Sequence, residues 1–213
     1  MKRALLISIR PEWAEKILNG KKTIEIRTWI PKDYAGWVYV YVTKDNYKNH
    51  LYKKDDILTL TDKHIYHYPY KNICGKVAFR FWYEKVDKIE NLIFGCAVLG
   101  VTQNYLDEIM KKSCLSINQL AKYLNKRDGY VWHIDKLEIF DKPKELSEFY
   151  HYKKKLIDCG MDCPPYVDEV KAQLTKAPQK CVWVYIDEQP KLREPKVLDE
   201  ETPDKKDDER KPF

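Results

Sequence analysis

Gly20-Lys21-Lys22-Thr23-Ile24-Glu25-Ile26-Arg27 is the stretch on which the reading of this chain turns. A short helix is expected to run into it from Pro11 to Asn19. Pro11 suits the first helical position, where its missing N–H costs no hydrogen bond. Trp13, Ala14, Ile17 and Leu18 recur at helical spacing and give one apolar face. Gly20 suits the left-handed residue that ends a helix. From Thr23 the period becomes two. Ile24 and Ile26 point one way; Thr23, Glu25 and Arg27 point the other. Glu25 and Arg27 are two positions apart, roughly 6.5–7 Å between Cα atoms on the rise of a strand. Both side chains can then address one ligand, or each other. The plain alternative is an ordinary edge strand with a solvated charged face.

The order of these residues favours function. Gly20, Lys22, Glu25 and Arg27 reproduce a Gly-x-Lys-x-x-Glu-x-Arg pattern. Leu6-Ile7-Ser8-Ile9-Arg10-Pro11 precedes it, Val38-Tyr39-Val40-Tyr41-Val42-Thr43-Lys44 follows, and Gly75-Lys76-Val77 opens a later strand. In that order, these landmarks resemble the ASCH domains of the PUA-like superfamily, and the resemblance covers most of residues 4–186. It implies an α+β fold: a PUA-like mixed β-barrel (pseudobarrel) with flanking helices. A Trp132-His133-Ile134 strand followed by Lys142, Pro143 and Leu146 is similar to chains of this type.

The remaining chain fits one domain with a tail. Its 213 residues suffice for one sizeable core. No run of 18 apolar residues is present, and the apolar run after Met1-Lys2-Arg3 is too short for a signal peptide, so a cytoplasmic protein with no membrane partner is expected. The formal net charge is +6, while the segment from Gln189 onward holds 7 Lys/Arg and 8 Asp/Glu, so the basic excess lies in the body. Such a body is compatible with a polyanionic partner without requiring one. Sixteen tyrosines and six tryptophans serve either as core or as stacking surfaces. The expected division is 1–187 for the domain and 188–213 for a disordered charged tail. Within the domain fall a helical insertion at about 103–128 and a cysteine-containing segment at about 150–180.

Strands are expected near 4–9, 23–28, 37–43, 74–86, 130–140 and 181–186, closing on themselves with the last beside the first. Val38, Val40 and Val42 alternate with Trp37, Tyr39 and Tyr41. Val77, Phe79, Phe81 and Tyr83 are expected on one side of a strand, with Arg80 and Trp82 on the other. Asn104–Met110 and Ile117–Lys126 read as helices, the second opened by a Ser116/Gln119 capping box and closed at Asp128-Gly129. The alternation slips near Lys136, which suggests a bulge. Lys44–Tyr70 has no sustained period and reads as a lid-like loop. Phe149–Lys155, basic and aromatic, reads as a solvated helix face or a phosphate-contacting patch. The six cysteines read mostly as free thiols. Cys159, Cys163, Cys181 and His151 are a weak zinc set, lacking a second close pair. No metal or cofactor is expected.

For function, the resemblance implies RNA or a modified nucleoside as ligand, bound in a cleft beside the motif. Lys21, Lys22, Thr23, Glu25 and Arg27 are the candidate polar contacts. Lys22 and Arg27 suit a phosphate or carbonyl oxygen, and Glu25 suits an exocyclic amine. Tyr39, Tyr41 and Trp132, or Trp37, are candidate stacking rings. The resemblance also implies an enzymatic alternative, an N4-acylcytidine amidohydrolase or a ribonuclease. Lys22 matches the lysine of the deacylating members, but their threonine position falls at Glu25, so the hydroxyl nucleophile is missing. Lys22 with Glu25 is then the candidate catalytic acid–base pair. A structural ion pair is a third possibility, although exposed pairs contribute only about 0–1 kcal/mol.

Overall fold

Leu5, Leu6, Ile7 and Ile9 place apolar side chains on both faces of one strand, so that strand needs cover on both sides. In the computed structural model this requirement sets the architecture. The structure describes residues 3–31, 34–44, 56–61, 64–68, 73–84, 86–89, 92–93, 96–97, 103–125, 127–157, 166–179, 181–192 and 196–197. In chain order the elements are β1 (Ala4–Ile9), α1 (Pro11–Leu18), β2 (Ile24–Arg27), β3 (Gly36–Val42), β4 (Asp56–Thr61), β5 (His64–Tyr68), β6 (Val77–Tyr83), β7 (Val86–Ile89), β8 (Leu92–Ile93), β9 (Cys96–Ala97), α2 (Gln103–Ser113), α3 (Ile117–Leu124), β10 (Gly129–His133), β11 (Lys136–Lys144), a 3-10 turn (Leu146–Glu148), β12 (Phe149–Ile157), β13 (Tyr166–Gln173), β14 (Val182–Ile186) and β15 (Lys196–Val197).

Seven strands form one sheet in the order β11-β6-β3-β1-β14-β12-β13. β1 runs parallel to β3, from Leu5↔Val38 to Ile9↔Val42, and antiparallel to β14, from Ala4↔Val184 to Leu6↔Val182. The expected neighbourship of first and last strands therefore holds. The expected closure does not: among the described residues β11 and β13 stand at opposite ends of the order, with no ladder joining them.

The alternation of β3 sorts its side chains into two cores. Val38, Val40 and Val42 join Leu5, Ile7, Phe79, Phe81 and the buried face of α1. Tyr39 and Tyr41 lie on the opposite side with Leu6, Phe140, Phe149 and Val184. Each buried aliphatic or Phe side chain contributes about 1.5–3 kcal/mol, so a strand covered on both faces anchors the sheet. The β3–β6 register shifts between Val40 and Tyr41, and Val77 falls in the core of Tyr41, apart from Phe79 and Phe81.

A second sheet, β2-β10-β7, carries the Gly20–Arg27 strand. Ile24, Ile26 and Val131 pack against Leu106 and Ile109 of α2 and Leu120 and Leu124 of α3. The slip near Lys136 marks the passage from β10 in this sheet to β11 in the large one; the β11–β6 register shift lies later, between Ile139 and Lys144. The Ser116/Gln119 capping box is present, but α3 ends on left-handed Asn125 (φ 45°) rather than at Asp128-Gly129. Gly129 instead answers to packing, since a Cβ there would stand 2.9 Å from Leu124 Cδ2.

Three further expectations are corrected. Lys44–Tyr70 contains the paired strands β4 and β5, not loop alone. Phe149–Lys155 is strand β12, paired with β13 from Tyr150↔Gln173 to Ile157↔Tyr166, not a helix face. The segment expected as tail is attached where it begins: the Asp141 N–H donates to the Lys191 carbonyl, Phe140 bridges Leu192, and β15 pairs with β5. Residues 193–195 and 198–213 lie outside the described residues.

Trp132 is fully buried in the first core. Truncation in such a site leaves a cavity, and Trp132→Ala is expected to lower unfolding free energy by about 3–5 kcal/mol in urea denaturation. A change under about 1 kcal/mol would contradict the packing described.

Candidate functional site

The motif turn is fixed from two sides. Gly20 adopts φ 72°, and its N–H donates to Ile17 O as α1 ends. The Lys22 N–H then donates to Lys16 O (2.8 Å), while the Thr23 N–H donates to Lys112 O (3.0 Å) at the end of α2. The Cys114 thiol donates to Lys21 O (3.3 Å), from a residue itself left-handed at φ 57°. The helical insertion is thus stitched to the motif. With Ile24 and Ile26 drawn into the core beneath α2 and α3, Glu25 and Arg27 are turned to the other face of β2.

There they form an ion triad. Glu25 Oε2 lies 3.3 Å from Lys22 Nζ, and Glu25 Oε1 lies 2.9 Å from Arg27 Nε. Lys22 Nζ also donates to Ser113 O (3.2 Å), and Arg27 Nη2 to Ser8 O (3.0 Å). The side chains are only 3%, 10% and 18% exposed for Lys22, Glu25 and Arg27. Ions so far removed from water persist only when paired and hydrogen-bonded. The third sequence reading, mutual ion pairing, is therefore part of the answer, but the triad is not sealed off. It lines a cavity of about 500 Å³ bounded by the end of β1, α1, β2 and α3.

The cavity has cationic and aromatic walls. Arg10 and Lys122 line it along with Lys22 and Arg27, opposed by the carboxylates Glu12 and Glu25. Trp13 and Tyr123 supply the rings. Lys22 Nζ stands 5.8 Å from the Trp13 ring centroid. Tyr123 is 42% exposed, yet burial, foremost, pushes its hydroxyl pKa up; neighbouring Arg27, also its hydrogen-bond partner, pulls the other way and Glu25 raises it. It stays a neutral phenol at pH 7.

Of the residues singled out in the sequence, Lys22, Glu25 and Arg27 meet at this cavity. Lys21 and Thr23 are exposed beside it and do not line it. Tyr39, Tyr41 and Trp132 are elsewhere. Tyr39 and Tyr41 belong to the second core, where the Tyr39 hydroxyl accepts from Arg80 Nη1 (2.8 Å), and Trp132 is packed in the first core. Trp37 meets Trp82 edge-on at 5.3 Å, away from the cavity. Trp13 and Tyr123 read in the sequence as parts of apolar helix faces and Arg10 as a landmark before the motif; none of these, nor Lys122, stands among the candidate ligand contacts. Tyr123 had a legible signal, since it follows Leu120 by three and precedes Leu124 by one, on the flank of the buried stripe. Cys159 and Cys163 lie outside the described residues, and among those described no group of three His, Cys, Asp or Glu could hold a metal.

Two outcomes follow from the burial. Glu25→Gln leaves Lys22 without its anion, and is expected to cost roughly 3–5 kcal/mol of stability, read from denaturant midpoints; an unchanged midpoint would contradict the buried triad. Burial also pushes the Cys181 thiol up to about 12, against a weaker opposing pull from Arg27. Thiolate is the reactive form, so iodoacetamide at pH 8 should leave Cys181 unmodified in peptide mass mapping of the native protein, with labelling rising only as pH approaches 12. Ready labelling at pH 8 would contradict that environment.

Comparison with known proteins agrees with the motif. The ASCH domain model matches residues 7–133. Among solved structures, ASCH from Zymomonas mobilis is 18% identical, covering 67% of this chain and 73% of that one, with a TM-score of 0.41. Two single-substitution mutants of the Zymomonas mobilis protein give 16% identity over 68% of this chain and 77% of that one, and 17% over 67% and 74%, each with a TM-score of 0.42. No curated protein matches the chain. With the family model spanning more than half its length across β1, the motif and β10, this chain belongs to the ASCH domain family.

Proposed function

We propose that the protein binds RNA or a modified nucleoside in the motif cavity. The observation that carries this reading is the convergence of Lys22, Glu25 and Arg27 on a cavity of about 500 Å³ walled by Trp13 and Tyr123. Such a volume suits one planar base with its sugar. Glu25 holds the two inner cations in place, so they meet an anion without reordering. Arg10 and Lys122 are the outer cations, suited to backbone phosphate. A Glu25 oxygen can accept from an exocyclic amine, and Trp13 or Tyr123 offers a ring face for stacking.

Binding is favoured over hydrolysis. Lys22 and Glu25 stand 3.3 Å apart, near enough for proton exchange. Thr23, the hydroxyl nearest to the family pattern, does not line the cavity. The Ser8 hydroxyl, from a lining residue, donates to Pro178 O at 2.7 Å. A covalent acyl step therefore lacks an activated hydroxyl. Incubation with N4-acetylcytidine, followed by chromatography, is expected to release no cytidine; steady release would favour the hydrolase.

For binding itself, a labelled single-stranded RNA should show salt-dependent affinity. Each phosphate contact on a single strand contributes about −0.7 to the slope of log K against log salt. Arg27→Ala, with the fold checked by circular dichroism, should weaken binding and flatten that slope by about 0.7. Equal affinity and slope for parent and variant would remove the motif from the interface.

A further inference from the structure

Beyond the motif, the sheet opens a second concavity. β12 and β14 pair only at Phe149↔Ile186 and Tyr150↔Tyr185, after which β12 continues with β13 alone. The fork between the diverging strands is a cavity of about 530 Å³, and its lining is aromatic and cationic rather than aliphatic. The Arg3 guanidinium lies on the Trp183 ring, 3.5 Å from its centroid. Tyr152 is 44% exposed and meets Tyr185 edge-on at 5.2 Å, and Tyr185 is stacked on Tyr150 at 5.7 Å. Glu169 contributes a carboxylate. Leaving the fork, β12 carries Lys153, Lys154 and Lys155, all exposed.

A hydrogen bond ties the fork's border to the motif cavity. Ser8, which lines that cavity, donates its hydroxyl to Pro178 O at 2.7 Å, three residues before Cys181 at the fork. The ASCH model's match, residues 7–133, ends before β12, β13 and β14.

We propose that the fork between β12 and β14 is a second subsite for single-stranded RNA, taking a nucleotide that neighbours the one in the motif cavity. The proposal rests on the binding reading above and sharpens it, because it makes the ligand a strand rather than a free nucleoside. Arg3 on Trp183 and the exposed Tyr152 ring supply stacking planes, the arrangement by which unpaired bases are held. Lys154, two residues on from Tyr152 and on the same face of β12, supplies a cation for a backbone leaving the fork, beside its cross-strand partner Glu169. Glu169 accepts from a base amine, as Glu25 does in the first subsite. An extended peptide added to the fork would call on open backbone edges and apolar side-chain pockets; rings and cations fit RNA better.

The test uses the full chain and a labelled mixed-sequence single-stranded RNA of about eight nucleotides, read by fluorescence anisotropy. Tyr152→Ala should weaken binding about tenfold, the scale of one lost base–aromatic stack. Tyr152→Phe should keep the parent affinity, because the ring is retained. Arg27→Ala in parallel reports on the motif cavity. If Tyr152→Ala binds as the parent does while Arg27→Ala is weakened, the second subsite is overturned and the motif reading survives; the fork then belongs to another class of partner, such as an extended peptide. If Tyr152→Ala is weakened and Arg27→Ala is not, the fork stands and the motif reading falls. An RNA that the parent chain does not bind overturns both.

Discussion

The Glu25 carboxylate is the constraint around which the site is built. It lies among groups that exclude most water and touches two cations that do the same. Exposed pairs of this kind are worth at most about 1 kcal/mol, whereas breaking a buried one costs several. The triad therefore acts on both sides of the account. It makes the β2 strand intolerant of change, and it keeps a net positive group of fixed geometry at a cavity wall. Neither Lys22 nor Arg27 depends on Glu25 alone, since each also donates to a backbone carbonyl. Those carbonyls, Ser113 and Ser8, come from α2 and β1, so the site joins the helical insertion to the first strand of the large sheet.

That joining explains why the insertion matters. α2 ends on Ser113, and the left-handed Cys114 turns the chain so that α3 can return along the cavity. The capping box at Ser116 starts α3 at that point. α3 buries Leu120 and Leu124 against β2 and β10, and leaves Tyr123 and Lys122 at the cavity. One helix thus supplies core on one stripe and ligand-facing groups on the next, as a 3.6-residue period permits.

Local signals in the sequence were legible where physics acts over a few residues. Gly20 as a left-handed helix end, the alternation of Ile24 and Ile26 against Glu25 and Arg27, and the Ser116/Gln119 box all depend on near neighbours. What failed depended on distant partners. Alternation placed Tyr39 and Tyr41 on one face of β3, but nothing local says that Phe140, Phe149 and Val184 cover that face. Trp132 likewise looks like a free ring until α1 and β3 are seen beside it. The basic run in β12 hid a strand because Lys153–Lys155 are tolerated on an exposed two-stranded extension and leave little apolar period to read. Barrel closure followed from the family resemblance and the strand count, and strand counts do not fix which edges meet.

The most direct test of the central claim is an amide chemical-shift titration of the isotope-labelled protein with cytidine monophosphate and with a short single-stranded RNA. The account predicts that shifts gather on Lys22–Arg27 and on the α3 stretch from Gln119 to Tyr123, the two walls of the motif cavity. Shifts confined to other surfaces, or none with either ligand, would contradict it.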